Sequence, residues 1–204
     1  MPRDGAATRQ KIMDTAEKLI FDYGFSATSV DKLIDAGGIT KGTFFYHFKT
    51  KDELALALVE RFAENDQKIL AENFARAEKL ARDPLQQLLV FIGLFEEMME
   101  QLTEPPQGCL FASYMYEAQL FDNETHKVIE DGLIAWRDKL VPLFKDITAA
   151  YPPRVPVDYV SLADMLTVVF EGAFIMSKTF KDPKVMVQQL AHYKNYIELL
   201  FSKS

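Results

Sequence analysis

Apolar side chains recur at intervals of three and four residues along most of this 204-residue chain. That spacing is typical of α-helices with one buried face, whereas a half-buried strand alternates apolar and polar residues. No segment of the sequence shows the alternating pattern. The sequence therefore predicts an all-α fold of about nine helices.

Glycines, prolines and polar capping residues mark where the predicted helices begin and end. The segments 103–108 and 151–156 contain two and three prolines, so both are predicted to be loops. The expected helices span about 8–23, 30–36, 41–48, 51–80, 84–102, 109–121, 124–147, 158–180 and 183–201.

The fourth predicted helix, at about 30 residues, is longer than one small domain needs, so we expect it to link two domains. The sequence predicts an N-terminal three-helix domain over 1–51, a linking helix over 51–80 and a C-terminal helical domain over 83–204.

Residues 29–48 carry the most information about function. Val30, Leu33 and Ile34 give the first short helix of this segment its apolar stripe. The glycine pair at 37–38 can end that helix, because glycine adopts the left-handed conformation that a tight exit needs. The segment is therefore predicted to hold two short helices joined by a glycine turn.

The second short helix keeps most of its surface for contacts outside the protein. Thr40 is its expected N-cap, and Phe44 and Phe48 lie one turn apart and face inward. The other faces show side chains that a globular core does not need, namely Lys41, Gly42, Thr43, Phe45, Tyr46 and His47. Two helices around a glycine turn, the second with basic, hydroxyl and aromatic groups outside, are typical of a helix-turn-helix that reads DNA.

The segment 8–54, and above all 39–54, resembles the DNA-binding domain of the TetR family of bacterial transcriptional regulators in residue type, order and spacing. The resemblance covers about a quarter of the chain. The remaining part is similar to the family in length and helical character. The alternative is an ordinary helical hairpin with a solvated face, although such faces are usually rich in Glu and Lys.

The resemblance implies which residues bind DNA. Thr40, the cap of the second helix, is expected to be among the DNA-binding residues, and Lys41, Gly42 and Thr43, which follow it, are expected to approach base edges. The residues expected at backbone phosphates are Thr28, Ser29, Tyr46, His47 and Lys51, whose hydroxyl, ring and ammonium groups and helix N-termini suit phosphate oxygens. Phe45 stands where the family usually has tyrosine, so it offers packing against sugar or methyl groups without a hydroxyl.

The net charge of −7 argues at first against a nucleic-acid partner. The charge is unevenly distributed, since residues 1–51 hold 8 Lys and Arg against 6 Asp and Glu, a balance of +2. Residues 52–204 hold 15 against 24, a balance of −9. Contacts with phosphates must therefore come from the N-terminal part, and dimerisation would double its weak positive charge.

A homodimer is expected because a single helix-turn-helix gives weak specificity. The predicted helix 158–180 is apolar almost all round, and the helix after it carries a heptad-like stripe. Two such pairs would form a four-helix bundle across a two-fold axis. Alternatively, the apolar stretch 165–176 is the central helix of the monomer's own core.

The resemblance implies an effector pocket among the middle helices, which hold many aromatic and methionine side chains. Such a lining suits a small apolar or aromatic effector, although these residues could also form an ordinary core. The candidate lining residues are Phe91, Phe95, Met98, Met99, Phe111, Tyr114, Met115, Trp136, Phe170 and Phe174. The acidic residues on these apolar helices that could orient polar groups of the effector, or be exposed or paired across the dimer, are Glu117, Asp164 and Glu171.

Cys109 is predicted to start a helix, where the helix dipole lowers the pKa of a thiol. It is either a sensor of electrophiles or a small buried residue. The sequence has no second cysteine, so it forms no internal disulfide, which fits a reducing cytoplasm.

The sequence contains no catalytic or metal-binding pattern, since its three histidines are scattered and it lacks nucleophile-elbow and phosphate-loop motifs. We expect no enzymatic activity, no metal and no cofactor. The N-terminus lacks a signal peptide and the longest apolar stretch is too short to span a bilayer, so a cytoplasmic protein without membrane contact is expected.

These observations predict a ligand-responsive regulator that binds double-stranded DNA, with repression of a palindromic operator as the default mode. The competing hypothesis is a helical small-molecule-binding protein or enzyme whose N-terminal hairpin does not bind DNA.

Overall fold

The computed structural model describes residues 5–202. In this range the chain forms nine α-helices and one short 3-10 helix, and no strand. The predicted all-α fold with about nine helices is confirmed. The helices are α1 (Gly5–Tyr23), α2 (Val30–Gly37), α3 (Lys41–His47), α4 (Lys51–Leu80), α5 (Pro84–Glu100), α6 (Leu110–Met115), α7 (Asn123–Ala150), α8 (Tyr159–Phe180) and α9 (Lys184–Phe201).

The main local difference from the prediction lies at 109–121, where one helix was expected. The structure has α6, then a break, then the 3-10 helix Ala118–Leu120. The break falls at Glu117, whose backbone angles of φ −120° and ψ 32° are not helical. Apolar periodicity could not reveal this break, because the large side chains continue on both sides of it.

The chain packs as two compact units. The first consists of Met1–Glu64 and Cys109–Glu130, and the second of Asn65–Gly108 and Asp131–Ser204. Helices α4 and α7 each contribute residues to both units. Packing therefore divides the chain differently from the contiguous split expected from the sequence, because residues 109–130 join the N-terminal residues.

The first unit is built around a core shared by α1, α2, α3, the start of α4, and α6. Phe44 and Phe48 of the α3 region are fully buried in this core. Arg61 on α4 forms ion pairs with Asp14 at 2.7 Å and with Glu17, which join α4 to α1. The buried members of this core include Ile12, Met13, Ala16, Ile20, Phe25, Leu33, Phe44, Phe48, Leu54, Leu58, Leu110, Phe111 and Tyr114.

The second unit has its core between α5, α8 and α9, with the later part of α4 and α7 packed against it. Tyr193 on α9 is buried, and its hydroxyl donates to the carbonyl oxygen of Leu162 at 3.2 Å. The largest buried side chains of this core include Phe91, Phe95, Phe144, Phe170, Tyr193 and Phe201.

Helix α8 is long and apolar enough, by length and composition, to cross a membrane. The apolar segment is thus longer than the stretch 165–176 considered in the sequence. One such helix is weak evidence of a membrane span, because core helices of soluble proteins share these properties. In this unit, however, only 28% of the most apolar window of α8 is buried.

The buried position of Phe44 predicts a large effect on stability. We expect Phe44→Ala to lower the free energy of unfolding by about 3–5 kcal/mol, because it leaves a cavity in the core. Its exposed neighbour provides a matched control, and Phe45→Ala is expected to change stability by no more than about 0.5 kcal/mol. Denaturant unfolding followed by circular dichroism measures both, and equal losses in the two variants would contradict this assignment of the faces of α3.

Candidate nucleic-acid interface and aromatic cluster

Helix α2 begins at a serine cap and ends at the glycine pair that the sequence indicated. Ser29 is its N-cap, and its hydroxyl oxygen accepts from the backbone N–H of Lys32 at 3.2 Å. Gly38 follows the helix in the left-handed region with φ 57°. The N–H of Ile39 then donates to the carbonyl oxygen of Ile34 at 3.1 Å, which closes the turn.

Helix α3 is fixed at both ends despite its length of seven residues. Thr40 is its N-cap, and its hydroxyl oxygen accepts from the backbone N–H of Thr43 at 3.1 Å. The two threonine hydroxyls also form a hydrogen bond at 2.8 Å. At the other end the N–H of Phe48 donates to the carbonyl oxygen of Phe44 at 2.9 Å. Two hydroxyl groups are thus presented together at the start of α3.

The outer face of α3 carries most of the predicted DNA-contacting residues. Lys41, Gly42 and Phe45 are exposed, and the Phe45 ring contacts Phe44 edge-on at a centroid distance of 5.2 Å. Tyr46 is 75% exposed. The half-buried members of the set are Thr43, His47 and Lys51, and the exposed ones also include Ser29 and Thr40.

Thr28 and Lys51 are not simply presented to solvent. Thr28 is only 1% exposed, and its hydroxyl donates to the carbonyl oxygen of Gly24 at 2.8 Å. The Lys51 ammonium donates to the carbonyl oxygen of Phe25 at 2.5 Å and lies 3.8 Å from the centroid of the Phe25 ring. Desolvation lowers the pKa of Lys51, although the charges of Glu117 and Asp52 act in the opposite direction. The phosphate contacts of Thr28 and Lys51 remain predictions.

Two further lysines of this region also bond to backbone carbonyl oxygens. Lys32 donates to the carbonyl of Ala27 at 2.7 Å, and Lys49 donates to that of Phe45 at 3.0 Å. A lysine ammonium has three N–H donors, so these bonds leave donors for another acceptor. The sequence reasoning gave neither lysine a role, although their position beside the motif was visible.

The side chain of Glu117, which follows α6, contacts the loop between α1 and α2, and the sequence did not predict this contact. Its two carboxylate oxygens accept from the backbone N–H groups of Phe25 at 2.7 Å and Ser26 at 3.0 Å. Desolvation raises the pKa of Glu117, but hydrogen bonds from the Ser26 side chain and from these two backbone N–H groups, together with the charge of Lys51, outweigh it and hold the pKa below its usual value. No local sequence signal could reveal a contact between residues 92 positions apart.

A cluster of aromatic rings fills part of the second unit. Trp136 lies 5.6 Å from Phe95, 6.2 Å from Phe91 and 6.0 Å from Phe170 between ring centroids. Phe74 on α4 packs on Phe91 at 4.2 Å. Five of the predicted pocket residues are thus brought together, namely Phe91, Phe95, Trp136, Phe170 and Phe174.

Asp66 of α4 bonds to this cluster, and Asn73 is a second buried polar residue of the same helix; neither was predicted from the sequence. Asp66 accepts from the indole N–H of Trp136 at 2.8 Å, and desolvation raises its pKa despite that hydrogen bond. Asn73 is only 6% exposed, and its side-chain nitrogen has no hydrogen-bond partner among residues 5–202. Asp66 and Asn73 are seven residues apart, so they lie on the same face of the helix. That spacing could have flagged them as polar residues on an inward face.

The other predicted pocket residues lie elsewhere. Phe111 and Tyr114 belong to the core of the first unit, where the Tyr114 hydroxyl donates to the carbonyl oxygen of Ala55 at 3.2 Å. Met115 and Met98 are exposed. Met99 is partly buried against the core of the second unit.

The remaining polar candidates also have defined positions. Asp164 forms a two-pronged ion pair with Arg137, with distances of 2.5 and 2.7 Å. Glu171 is half-buried, as is Cys109, which occupies the N-cap position of α6. Among residues 5–202, no group of three His, Cys, Asp or Glu side chains lies close enough together to hold a metal ion.

Comparison with known proteins agrees with this geometry. Residues 12–58, which run from α1 into α4, match the family model described as bacterial regulatory proteins, tetR family. The transcriptional regulator AcuR of Cereibacter sphaeroides is 25% identical over 175 residues, which cover 86% of this chain and 78% of AcuR. The HTH-type transcriptional repressor NemR of Escherichia coli K12 is 20% identical over 192 residues, covering 93% of this chain and 94% of NemR.

The fold has close counterparts among solved structures. A TetR transcriptional regulator from Chloroflexus aurantiacus superposes with a TM-score of 0.75 at 24% sequence identity, and covers 97% of this chain and 98% of its own. This likeness concerns the fold alone. The match over residues 12–58 shows that this segment is a DNA-binding domain of the TetR family, and the whole chain is similar to TetR-family transcriptional regulators in sequence and fold.

Proposed function

We propose that this protein is a repressor that binds a palindromic operator as a homodimer and is released by a small apolar or aromatic effector. The observation that carries the proposal is the outer face of α3, where exposed Lys41, Gly42 and Tyr46 lie beside the hydroxyl pair of Thr40 and Thr43. A repressor among its relatives, NemR, supports the sign of regulation. As a bacterial DNA-binding protein, it would act in the cytoplasm.

Different residues of the helix-turn-helix and the start of α4 would contact base edges and phosphates. Lys41 and Thr43 lie in the first turn of α3, where a recognition helix reaches into the major groove. Tyr46, His47, Ser29 and Lys51 would position the protein on the backbone. Phe45 would contribute packing only. Because the positive charge is weak, affinity should depend strongly on hydroxyl contacts and on doubling of the site.

The Tyr46 hydroxyl provides a direct test of DNA contact. We expect Tyr46→Phe to weaken binding to operator and to unrelated DNA alike, by roughly fivefold per half-site, because one phosphate hydrogen bond is lost. Tyr116 is as exposed as Tyr46, at 76% against 75%, so Tyr116→Phe is the matched control and should bind normally. Fluorescence anisotropy with duplexes from upstream of its own gene measures both. Equal affinities for wild type and Tyr46→Phe would remove Tyr46 from the interface.

The proposed dimer would form through α8 and α9. Val168 on α8 is 67% exposed and Leu199 on α9 is 63% exposed. Gly172 lies one turn after Val168, and a Cβ added there would meet no atom within 4 Å, which leaves room for the close approach of a second helix. The other exposed apolar residues of these helices are Val160, Met165, Ile175, Met176, Phe180 and Tyr196. An apolar surface of this extent favours burial against a second copy.

Substitution of this apolar surface tests the dimer. We expect Val168→Glu and Leu199→Glu to give folded monomers, because both side chains are exposed within the chain but would be buried between two copies. Val168→Leu keeps the surface apolar and should remain dimeric. Light scattering at micromolar concentration gives the mass, and anisotropy should show loss of operator binding in the monomers. A dimeric mass for both charged variants would contradict this interface.

The aromatic cluster of the second unit supports the proposal that the effector is an aromatic molecule. The rings around Trp136 would pack on a flat apolar molecule, and the polar groups of Asp66 and Asn73 could orient it. Burial of an amide nitrogen without a partner costs about 1–3 kcal/mol, so an acceptor supplied by the effector would be favoured at Asn73. An effector would release the operator if it bound better to the protein free of DNA.

Trp136 is the single tryptophan of the chain, so its emission reports on the cluster. We expect biphenyl and 4-phenylphenol to change this emission and to weaken operator binding. The phenol should bind roughly fivefold tighter, because its hydroxyl can donate to Asp66. Asp66→Asn should reduce this preference, whereas Asp138→Asn, an exposed position on α7, should keep it. Unchanged emission with both compounds would exclude the cluster as the site for such molecules.

A further inference from the structure

The carboxylate of Glu117 has no part in the proposed DNA contacts. Both of its oxygens are bonded to consecutive backbone N–H groups, those of Phe25 and Ser26. A carboxylate held by two N–H donors forms charge-assisted hydrogen bonds that are stronger than neutral ones. Glu117 therefore fixes the conformation of the α1–α2 loop from a position far along the chain.

The same loop also holds Lys51. The carbonyl oxygen of Phe25, whose N–H is bonded to Glu117, accepts from the Lys51 ammonium. The charges of Glu117 and Lys51 also attract one another, as the pKa of each reflects the charge of the other. Glu117, the Phe25 peptide groups and Lys51 thus form one connected polar assembly.

The assembly borders the start of α2. Thr28 donates its hydroxyl to the carbonyl oxygen of Gly24, which belongs to the same peptide group as the Phe25 N–H held by Glu117. Ser29, the N-cap of α2, follows directly. A displacement of the loop would therefore move the N-terminus of α2 and the ammonium group of Lys51 at the start of α4.

Aromatic packing holds Glu117 in place. Tyr114 and Phe121, on either side of it in sequence, stack on each other at 4.2 Å. Their rings contact Phe25 at centroid distances of 5.7 Å and 4.6 Å. The carboxylate is therefore presented from a rigid segment, so its position can determine that of the loop.

We infer that Glu117 is a positioning residue for DNA binding, which sets the α1–α2 loop so that Lys51 and the N-terminus of α2 meet the same DNA backbone. The inference rests on the proposed phosphate contacts of Ser29 and Lys51. Glu117 itself would not touch DNA. The bond to Phe25 uses one of three N–H donors of Lys51 and leaves two for phosphate. It also restricts a long side chain before binding, which lowers the entropy lost on contact with DNA.

A double-mutant cycle tests this role. Glu117→Gln, Lys51→Met and the double variant are titrated with operator and unrelated duplexes, together with thermal unfolding of each protein. The readout is the ratio of operator affinity to non-specific affinity, because removal of one negative charge strengthens both kinds of binding alike. Glu104→Gln, at an exposed carboxylate outside the loop, controls for the charge change.

We expect Glu117→Gln to lower the ratio roughly fivefold with Lys51 present and to change it little in the Lys51→Met background. A lower unfolding temperature with an unchanged ratio would show a purely structural role and overturn the inference. An equal loss in both backgrounds would also overturn it, because Glu117 would then not act through Lys51. Failure of the wild-type protein to bind operator would instead refute the proposed function.

A second variant keeps the test open if Glu117→Gln does not fold. Gly24 has φ +85°, and a Cβ added there would lie 2.9 Å from a carboxylate oxygen of Glu117. Gly24→Ala therefore displaces the carboxylate and strains the backbone of the loop, without changing any charge. It should lower the ratio of operator to non-specific affinity in the same way. An unaltered ratio in folded Gly24→Ala protein would overturn the inference.

Discussion

The burial of Phe44 and Phe48 is the interaction on which the proposed DNA-reading surface depends. Helix α3 has seven residues and α2 has eight, and isolated helices shorter than about 12 residues are marginal in water. Two inward rings and two hydroxyl caps hold this hairpin against the core of the first unit. Because these few residues hold α3 in place, its other side chains are not needed for stability and can face solvent.

Charge is the second constraint, since a chain of net charge −7 has to bind a polyanion. Only a small excess of basic residues lies in the N-terminal part, and Lys32, Lys49 and Lys51 are each bonded to a backbone carbonyl. These bonds restrict long side chains that would otherwise lose much conformational freedom on binding. With the proposed contacts, the protein would compensate for few positive charges by ordering them, and by adding uncharged hydroxyl donors whose contribution depends less on salt.

The sequence predicts the features that arise from neighbouring residues. The caps at Ser29 and Thr40, the left-handed glycine at 38 and the inward rings of α3 all follow from residue type and spacing. The exposed face of α3, and with it the family, could be predicted for the same reason. Helix boundaries within a few residues also come from such local signals.

Features that depend on contacts between distant residues could not be predicted. No glycine or proline marks the break at Glu117. The side chain of this residue instead bonds to the distant α1–α2 loop, which no local pattern shows. The aromatic residues between positions 91 and 136 could be identified as a group. The sequence could not show which of them share a core. Phe111 and Tyr114 have the same residue types and periodicity as the ring cluster yet pack in the other unit.

The division of the first unit into two separate stretches of sequence has a consequence for the exchange of parts between family members. A fragment ending after α4 would contain every proposed DNA contact but would lack Tyr114, Glu117 and Phe121, which pack on or bond to the loop at Phe25. A chimera that joins this N-terminal region to another regulator's ligand domain would therefore need residues 109–130 as well. With Glu117 in its proposed role, operator preference would depend on two segments of the chain, and only one of them looks like a DNA-binding motif.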